Sequence, residues 1–98
     1  MTIHEIRNGD ALTVIPEGRL DNISSPELEA FLDKNYPALT ELTFDFEKLE
    51  YVSSAGLRVL VKAYKKMADR GGIRICHCNS LVLEVFKLTG FSDIFTVE

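Results

Sequence analysis

Residues 49–60 read Leu-Glu-Tyr-Val-Ser-Ser-Ala-Gly-Leu-Arg-Val-Leu, and the rest of the chain is best interpreted outward from this segment. It follows a predicted strand and opens a long predicted helix, with Ser53 and Ser54 at the point where the helix begins. A helix N-terminus carries unpaired N–H groups and roughly half a positive charge, so it favours an anion. A phosphate attached to a serine here would therefore be stabilised, and it would add about −1.5 to −2 charges without unfolding the domain.

Other roles for this segment compete with that of a phosphate site. A serine before a helix is most often an N-cap that accepts one backbone hydrogen bond. Gly56, in the first turn, can serve to bring the helix close to the sheet. Nucleophilic catalysis is disfavoured because no glycine precedes the serines in a Gly-x-Ser-x-Gly elbow. No Gly-x-x-x-x-Gly-Lys loop is present to hold nucleotide phosphates.

The helix that this segment opens is predicted over residues 54–70. Arg58 lies one turn from Ser54 and could pair with a phosphate there, although a basic side is usually an ordinary solvated face. Gly71 and Gly72 predict a left-handed C-cap. The basic side consists of Arg58, Lys62, Lys65 and Lys66. The apolar stripe, which recurs at helical spacing, consists of Leu57, Leu60, Val61, Tyr64, Met67 and Ala68.

Three strands are predicted before the segment. Residues 2–7 and 11–15 are joined at Asn8-Gly9, a strong two-residue hairpin signal. Pro16 cannot donate to a ladder, so it marks a bulge, a strand end or an unpaired edge. Residues 41–47 alternate apolar and polar side chains, which predicts the third strand.

A helix is predicted between the second and third strands. Ser24 and Glu27 have the spacing of a capping box, and Ile23 and Leu28 have the spacing of the hydrophobic staple that accompanies it. Pro26 is tolerated in the first turn because that position needs no backbone N–H.

The end of the chain predicts a strand, a helix and a short strand. Residues 73–76 form the strand, Asn79 or Ser80 caps the helix, Gly90 ends it, and residues 94–97 form the last strand. The order is therefore β-β-α-β-α-β-α-β. This alternation predicts an α/β fold with a mostly parallel or mixed sheet and three helices that cover mainly one face.

Length, charge and hydropathy limit the classes of function. The 98 residues suit one domain over 1–98. A net charge of −4 argues against nucleic acid as the main partner. No apolar run reaches the roughly 20 residues of a membrane span, and the N-terminus does not read as a signal peptide, so a cytoplasmic protein without a membrane partner is expected.

The run Cys76-His77-Cys78 is expected to be structural. Cysteines two apart in a strand point to opposite faces and do not readily bridge. A closed zinc site needs four ligands, and no second Cys/His cluster exists, so no metal or other cofactor is expected. Neither His4 nor His77 has an acid and nucleophile nearby in sequence, so no catalytic residues are expected and the protein is not expected to be an enzyme.

The segment at residues 51–60 resembles the signature of the anti-sigma factor antagonists, founding members of the STAS family. The family segment commonly reads Asp-Ser-Ser/Thr-Gly-Leu, and the phosphorylated serine lies two positions before the glycine. Alignment on Gly56 places Ser54 at the phosphoacceptor, Ala55 at the next Ser/Thr and Ser53 at the Asp. The segment ending in Asp21 (Gly-Arg-Leu-Asp) and residues 86–91 are also similar to the family, so the resemblance covers essentially the whole chain.

The resemblance implies a non-catalytic, phosphorylation-controlled protein switch. The partners would be an anti-sigma factor with serine kinase activity and a serine/threonine phosphatase, and the free chain is expected to be a monomer. For Asp21, the alternative to a role beside Ser54 is an Asx-turn ahead of the first helix. The implied site around Ser54 comprises Asp21, Asn22, Ser53, Ala55, Gly56 and Arg58.

Two other functions stay open from the sequence. STAS domains also serve as accessory subunits of lipid-transport ATPase complexes, where they brace the ATPase. A nucleotide-binding or phosphotransfer module is the second alternative.

Overall fold

The computed structural model describes residues 1–91 and 96–97, and its elements follow the predicted order with one additional short strand, β4. A 3₁₀ turn, Tyr36–Ala38, follows the first helix. The strands and helices are β1 (Thr2–Asn8), β2 (Ala11–Leu20), α1 (Ser25–Asn35), β3 (Glu41–Asp45), β4 (Leu49–Val52), α2 (Ser54–Met67), β5 (Ile73–Cys76), α3 (Ser80–Thr89) and β6 (Thr96–Val97).

The strands form a mixed sheet in the order β1-β2-β3-β5-β6, with β4 paired to β2. Only the β1–β2 pair is antiparallel among the described strands. Asn8 pairs with Ala11, so the hairpin turn is Gly9-Asp10, one residue later than predicted. Gly9 has φ +66° and Asp10 is not in the positive region, as a type II′ turn requires.

Strand β2 is longer than predicted because it has two parallel partners in succession. Its first half, residues 11–14, pairs with β3, and residues 18–20 pair with β4. Pro16 lies between these two stretches, where β2 pairs with β1 alone among the described strands. No hydrogen bond to a second neighbouring strand therefore requires a backbone N–H from Pro16. The register shifts between Gly18 and Arg19. The strand therefore continues to Leu20 instead of ending near residue 15, and it delivers residue 21 to the start of α2.

One face of the sheet builds the core with the three helices. Side chains alternate along each strand, and the inward set belongs to the same buried cluster as the helix residues. The inward set includes Leu12, Val14, Leu42, Phe44, Ile73 and Ile75. The opposite face, called the outer face below, is only partly covered and consists of Thr13, Ile15, Thr43, Asp45, Arg74 and Cys76.

The buried stripe of α2 is rotated from the predicted one. Val59 and Ala63 are buried, whereas Tyr64 and Ala68 are exposed. The helix ends at Met67, and Gly72, with φ +74°, donates its N–H to the Met67 carbonyl at 2.9 Å. The rotation follows from the close contact of the helix start with the sheet, described below.

The capping box and staple predicted for α1 do not form. Ser24 makes no side-chain cap, and Ile23 is 89% exposed. The Ser24 hydroxyl instead lies 2.6 Å from the Arg19 carbonyl oxygen and accepts the Asp21 N–H at 2.9 Å. The side chains before α1 thus bond within the loop, and the helix start is bonded through backbone carbonyls, since the Ser24 carbonyl accepts the Leu28 N–H at 3.2 Å.

The features predicted for α3 are present. The Asn79 side chain caps it by accepting the Val82 N–H at 2.8 Å, and Gly90 ends it with φ +79°. Of the predicted last strand, Thr96–Val97 pairs with β5, and residues 94–95 lie outside the described residues. Within the described chain, every helix is too short or too polar to cross a lipid bilayer.

Candidate functional site

The two serines at the start of α2 have different environments. Ser53 is the N-cap: its hydroxyl accepts the Gly56 N–H at 3.3 Å. Its own N–H donates to the Leu20 carbonyl at 2.8 Å. Ser54 is the first residue of the helix, and it is exposed. Ser53 therefore holds the helix start in place, and Ser54 presents a hydroxyl to solvent at the positive end of the helix.

Gly56 is required by the close approach of α2 to the sheet. A Cβ at this position would lie 2.7 Å from Leu20 Cγ and 2.9 Å from Val52 Cγ2. Leu20 and Val52 are both fully buried, at the ends of β2 and β4. The glycine thus brings the helix N-terminus against the ends of these two strands, as the packing interpretation of the sequence expected.

The loop that follows β2 is organised by the Asp21 carboxylate. Its Oδ1 accepts the Ile23 N–H at 3.0 Å and the Ser24 N–H at 3.1 Å. These two donors, that of Ser24 foremost, hold the pKa of the Asp21 carboxyl below its ordinary value. The structure therefore shows the Asx-turn that was the alternative to a role beside Ser54.

The Asp21 loop and the start of α2 lie side by side, although 32 positions separate residues 21 and 53 in the chain. Asp21, Asn22, Ile23 and Ser53 together line an open depression of about 270 Å³. The exposed Ile23 side chain places an apolar group at its rim. Of the residues that the sequence analysis grouped around Ser54, Asp21, Asn22 and Ser53 line this depression, together with Ile23 of the same loop.

A second groove, of about 400 Å³, runs between the first turns of α1 and α2. Asn22, Ser25, Ala55 and Arg58 are among the residues that line it. The Ser25 hydroxyl is buried, and it has no hydrogen-bond partner in the described part of the chain. Sequence gave no signal for Ser25, because its burial depends on how α1 meets α2.

The basic side of α2 is not uniform. Lys62 forms ion pairs with Asp33 at 3.1 Å and Glu29 at 3.8 Å, both on α1. Arg58 is exposed and forms no ion pair with any residue that the structure describes. Lys62 therefore ties the two helices together, and Arg58 remains available to an anion near the helix start.

A conserved-domain comparison decides the family. Residues 3–98 match the family model of the STAS domain. The chain belongs to the STAS domain family. The family and fold class expected from residues 51–60 and from the order of elements are confirmed.

Relatives of this STAS chain are named as regulators. It is 38% identical over 72 residues to BtrV of Bordetella bronchiseptica, which is named as an anti-sigma factor antagonist. That alignment covers 72% of this chain and 60% of BtrV, so less than two thirds of BtrV's length is spanned. The chain is also 24% identical to the anti-sigma-B factor antagonist of Listeria monocytogenes, with 94% of this chain and 82% of that protein covered.

Solved structures confirm the fold of this STAS domain. The crystal structure of an anti-sigma factor antagonist from Mycobacterium paratuberculosis has a TM-score of 0.89 at 22% identity, covering 98% of this chain and 83% of that one. Unphosphorylated SpoIIAA has a TM-score of 0.85 at 16% identity, covering 99% and 88%. The phosphorylated form of SpoIIAA from Bacillus has a TM-score of 0.77 at 15% identity, covering 99% and 91%.

Proposed function

We propose that this STAS domain is an anti-sigma factor antagonist that acts as a phosphorylation-controlled binding switch, with Ser54 as its phosphoacceptor. The unphosphorylated chain binds an anti-sigma factor that is also a serine kinase, and the sigma factor held by that protein is released. The kinase transfers the γ-phosphoryl group of ATP to Ser54 Oγ, with release of ADP and the hydroxyl proton. A serine/threonine phosphatase hydrolyses the phosphoserine and restores the binding form. The switch operates in the cytoplasm.

The exposure of Ser54 as the first residue of α2 is the observation that carries this proposal. Ser53 is engaged as the N-cap, so of the two serines Ser54 is the one whose hydroxyl a kinase can reach. The N–H groups of the first helical turn and the Arg58 side chain supply the positive potential that a phosphate needs.

The same surface supplies groups for protein docking. Ile23 offers an exposed apolar side chain beside the depression that Ser53 lines. Asn22 and Arg58 offer polar side chains along the neighbouring groove. The kinase therefore phosphorylates the surface to which it binds. The phosphorylated chain no longer fits the kinase.

Added charge is sufficient to drive release. A dianion enclosed in a contact without a matching cation costs several kcal/mol. Each ~1.4 kcal/mol changes an equilibrium constant tenfold. Phosphorylation of Ser54 therefore weakens docking strongly while the helix that carries it stays folded.

The two alternative functions are not favoured. The relatives that match this chain are named as anti-sigma factor antagonists, and none of those described above is named as a transport subunit or a nucleotide-binding module. An equilibrium titration with ATP and GTP would separate the nucleotide alternative from the switch, for which no tight binding to the isolated chain is expected.

The test of the phosphoacceptor uses the purified chain, the anti-sigma factor kinase encoded in the same genome, and ATP. We expect mass spectrometry to place one phosphate on Ser54 of the wild type and of a Ser53→Ala control, and none on Ser54→Ala. The Ser54→Ala chain should still bind the kinase. A phosphate that maps to Ser53, or a Ser54→Ala chain that is phosphorylated as fully as wild type, would overturn the assignment.

A further inference from the structure

Three side chains that can bind a metal converge where β3 and β5 end. Asp45 is the last residue of β3 and Cys76 the last of β5, and the two are register partners in the parallel ladder. Register partners point to the same face of a sheet. Phe44 and Ile75, their neighbours, are buried in the core, so Asp45 and Cys76 lie on the outer face.

His77 joins this pair because the chain bends sharply after β5. It has φ +61°, and among the residues that the structure describes it is the only non-glycine residue with a left-handed backbone. The bend brings its Nδ1 to 2.9 Å from Asp45 Oδ1. The His77 side chain is 63% exposed, so solvent reaches the group. A left-handed conformation at a non-glycine residue costs free energy and is concentrated at functional sites.

The ligand atoms of Asp45, Cys76 and His77 all lie within 4.8 Å of one another. In a tetrahedral zinc site with bonds of roughly 2.0–2.3 Å, neighbouring ligand atoms are about 3.3–3.8 Å apart. A thiolate, an imidazole and a carboxylate are also the donors that Zn²⁺ takes in proteins.

We propose that Asp45, Cys76 and His77 form a binding site for Zn²⁺ or a similar divalent transition metal on the outer face of the sheet. Within the described residues, three protein ligands leave the fourth position of a tetrahedral ion to a further ligand such as water. The site is built from residues other than those around Ser54, so it is separate from the proposed phosphorylation switch. The sequence alone did not reveal it, because Asp45 joins the cysteine and histidine only through the pairing of β3 with β5.

Cys78 provides a matched control. Its side chain packs against the hydrophobic core, and it is not among the three residues whose ligand atoms converge. Cys78 is therefore a second thiol of the same run that lies apart from the proposed ligands.

The test titrates Co²⁺ into the full, tag-free, reduced chain and follows the thiolate-to-cobalt charge-transfer absorption, with Zn²⁺ as the competitor. We expect one Co²⁺ per chain, displaced by one equivalent of Zn²⁺. Cys76→Ala should abolish the charge-transfer band, and His77→Asn, which tolerates a positive φ, should weaken Co²⁺ binding at least tenfold. Cys78→Ala should leave both the band and the affinity unchanged.

Circular dichroism of each variant establishes that the fold is intact before the titrations are compared. Absence of the charge-transfer band in the wild type would overturn the site. Loss of the band in Cys78→Ala, with Cys76→Ala unaffected, would overturn the assignment of its ligands. Neither result touches the phosphorylation of Ser54, which is measured by mass spectrometry.

Discussion

At the scale of single residues, the two adjacent serines at the start of α2 have different roles: the first caps the helix and the second is exposed. Ser53 accepts the Gly56 N–H, and its own N–H is bonded to the end of β2. Ser54 is exposed one position later. Phosphorylation of Ser54 would therefore leave the hydrogen bond that caps the helix intact. A phosphate on Ser53 would disturb that hydrogen bond.

The two serines are expected to differ in their effect on stability. Ser53→Ala removes the N-cap and should lower the free energy of unfolding by about 0.5–2 kcal/mol. Ser54→Ala changes an exposed side chain and should stay within about 0.5 kcal/mol of wild type. Urea denaturation followed by circular dichroism measures both. Equal losses for the two variants would contradict this division of roles.

Gly56→Ala is expected to destabilise the domain through overpacking. The new methyl group would lie 2.7 Å from Cγ of Leu20, a side chain that is fully buried in the core. Overpacking costs typically about 1–3 kcal/mol, which exceeds the gain of up to roughly 1 kcal/mol in helix propensity. Urea denaturation should therefore show a net loss, with Lys65→Ala on the exposed side as a near-neutral control. A Gly56→Ala chain more stable than wild type would refute the packing.

Asp21→Asn is expected to alter how stability depends on pH. The amide oxygen of asparagine can accept the same two N–H groups, so the variant isolates the charge of the carboxylate. The folded-state pKa of Asp21 lies below 3.8, so its charge stabilises the fold above that pH. The advantage of wild type over Asp21→Asn should be complete at pH 6 and should vanish as the pH falls through the folded-state pKa. Urea midpoints at pH 6 and pH 3 test this, and a constant difference would contradict it.

At the scale of elements, sequence patterns predicted where the helices and strands lie more accurately than they predicted which elements contact each other. The alternation after residue 40 predicted β3, because each inward side chain there is apolar. Strand β4 was not predicted, because its four residues gain a strand partner only through residues 18–20 of β2. The staple at Ile23 does not form because the Asp21 carboxylate holds the Ile23 and Ser24 N–H groups in a local turn, and the Ile23 side chain is exposed.

Asn79 links α3 to β4 and is expected to matter more than a simple cap. Its Oδ1 accepts the Val82 N–H, and its Nδ2 donates to the Leu49 carbonyl at 3.0 Å and lies 3.3 Å from that of Glu50. Asn79→Ala loses both functions and should cost about 1–3 kcal/mol. Asn79→Ser keeps a capping oxygen and should cost less. Thermal and urea unfolding compare the two with Ser80→Ala as the control, and equal stability of all three would contradict the link.

At the scale of the whole molecule, the site depends on the two successive partners of β2. Pairing with β3 and then with β4 carries residue 21 to the start of α2, and the Ser53 N–H bonds to Leu20 at that junction. The sequence could predict the exposed serine, because a polar pair precedes an amphipathic helix. It could not predict which residues surround it, because their proximity depends on strand register.

The affinity of the phosphorylated chain for the anti-sigma factor proposed as its partner tests the switch most directly. Titration calorimetry should compare the unmodified chain, the chain phosphorylated on Ser54, and Ser54→Asp, with circular dichroism showing that all three are folded. If charge at the start of α2 controls docking, phosphorylation should raise the Kd at least tenfold, about 1.4 kcal/mol, with a smaller increase for Ser54→Asp. Equal affinities for the unmodified and phosphorylated chains would contradict the switch.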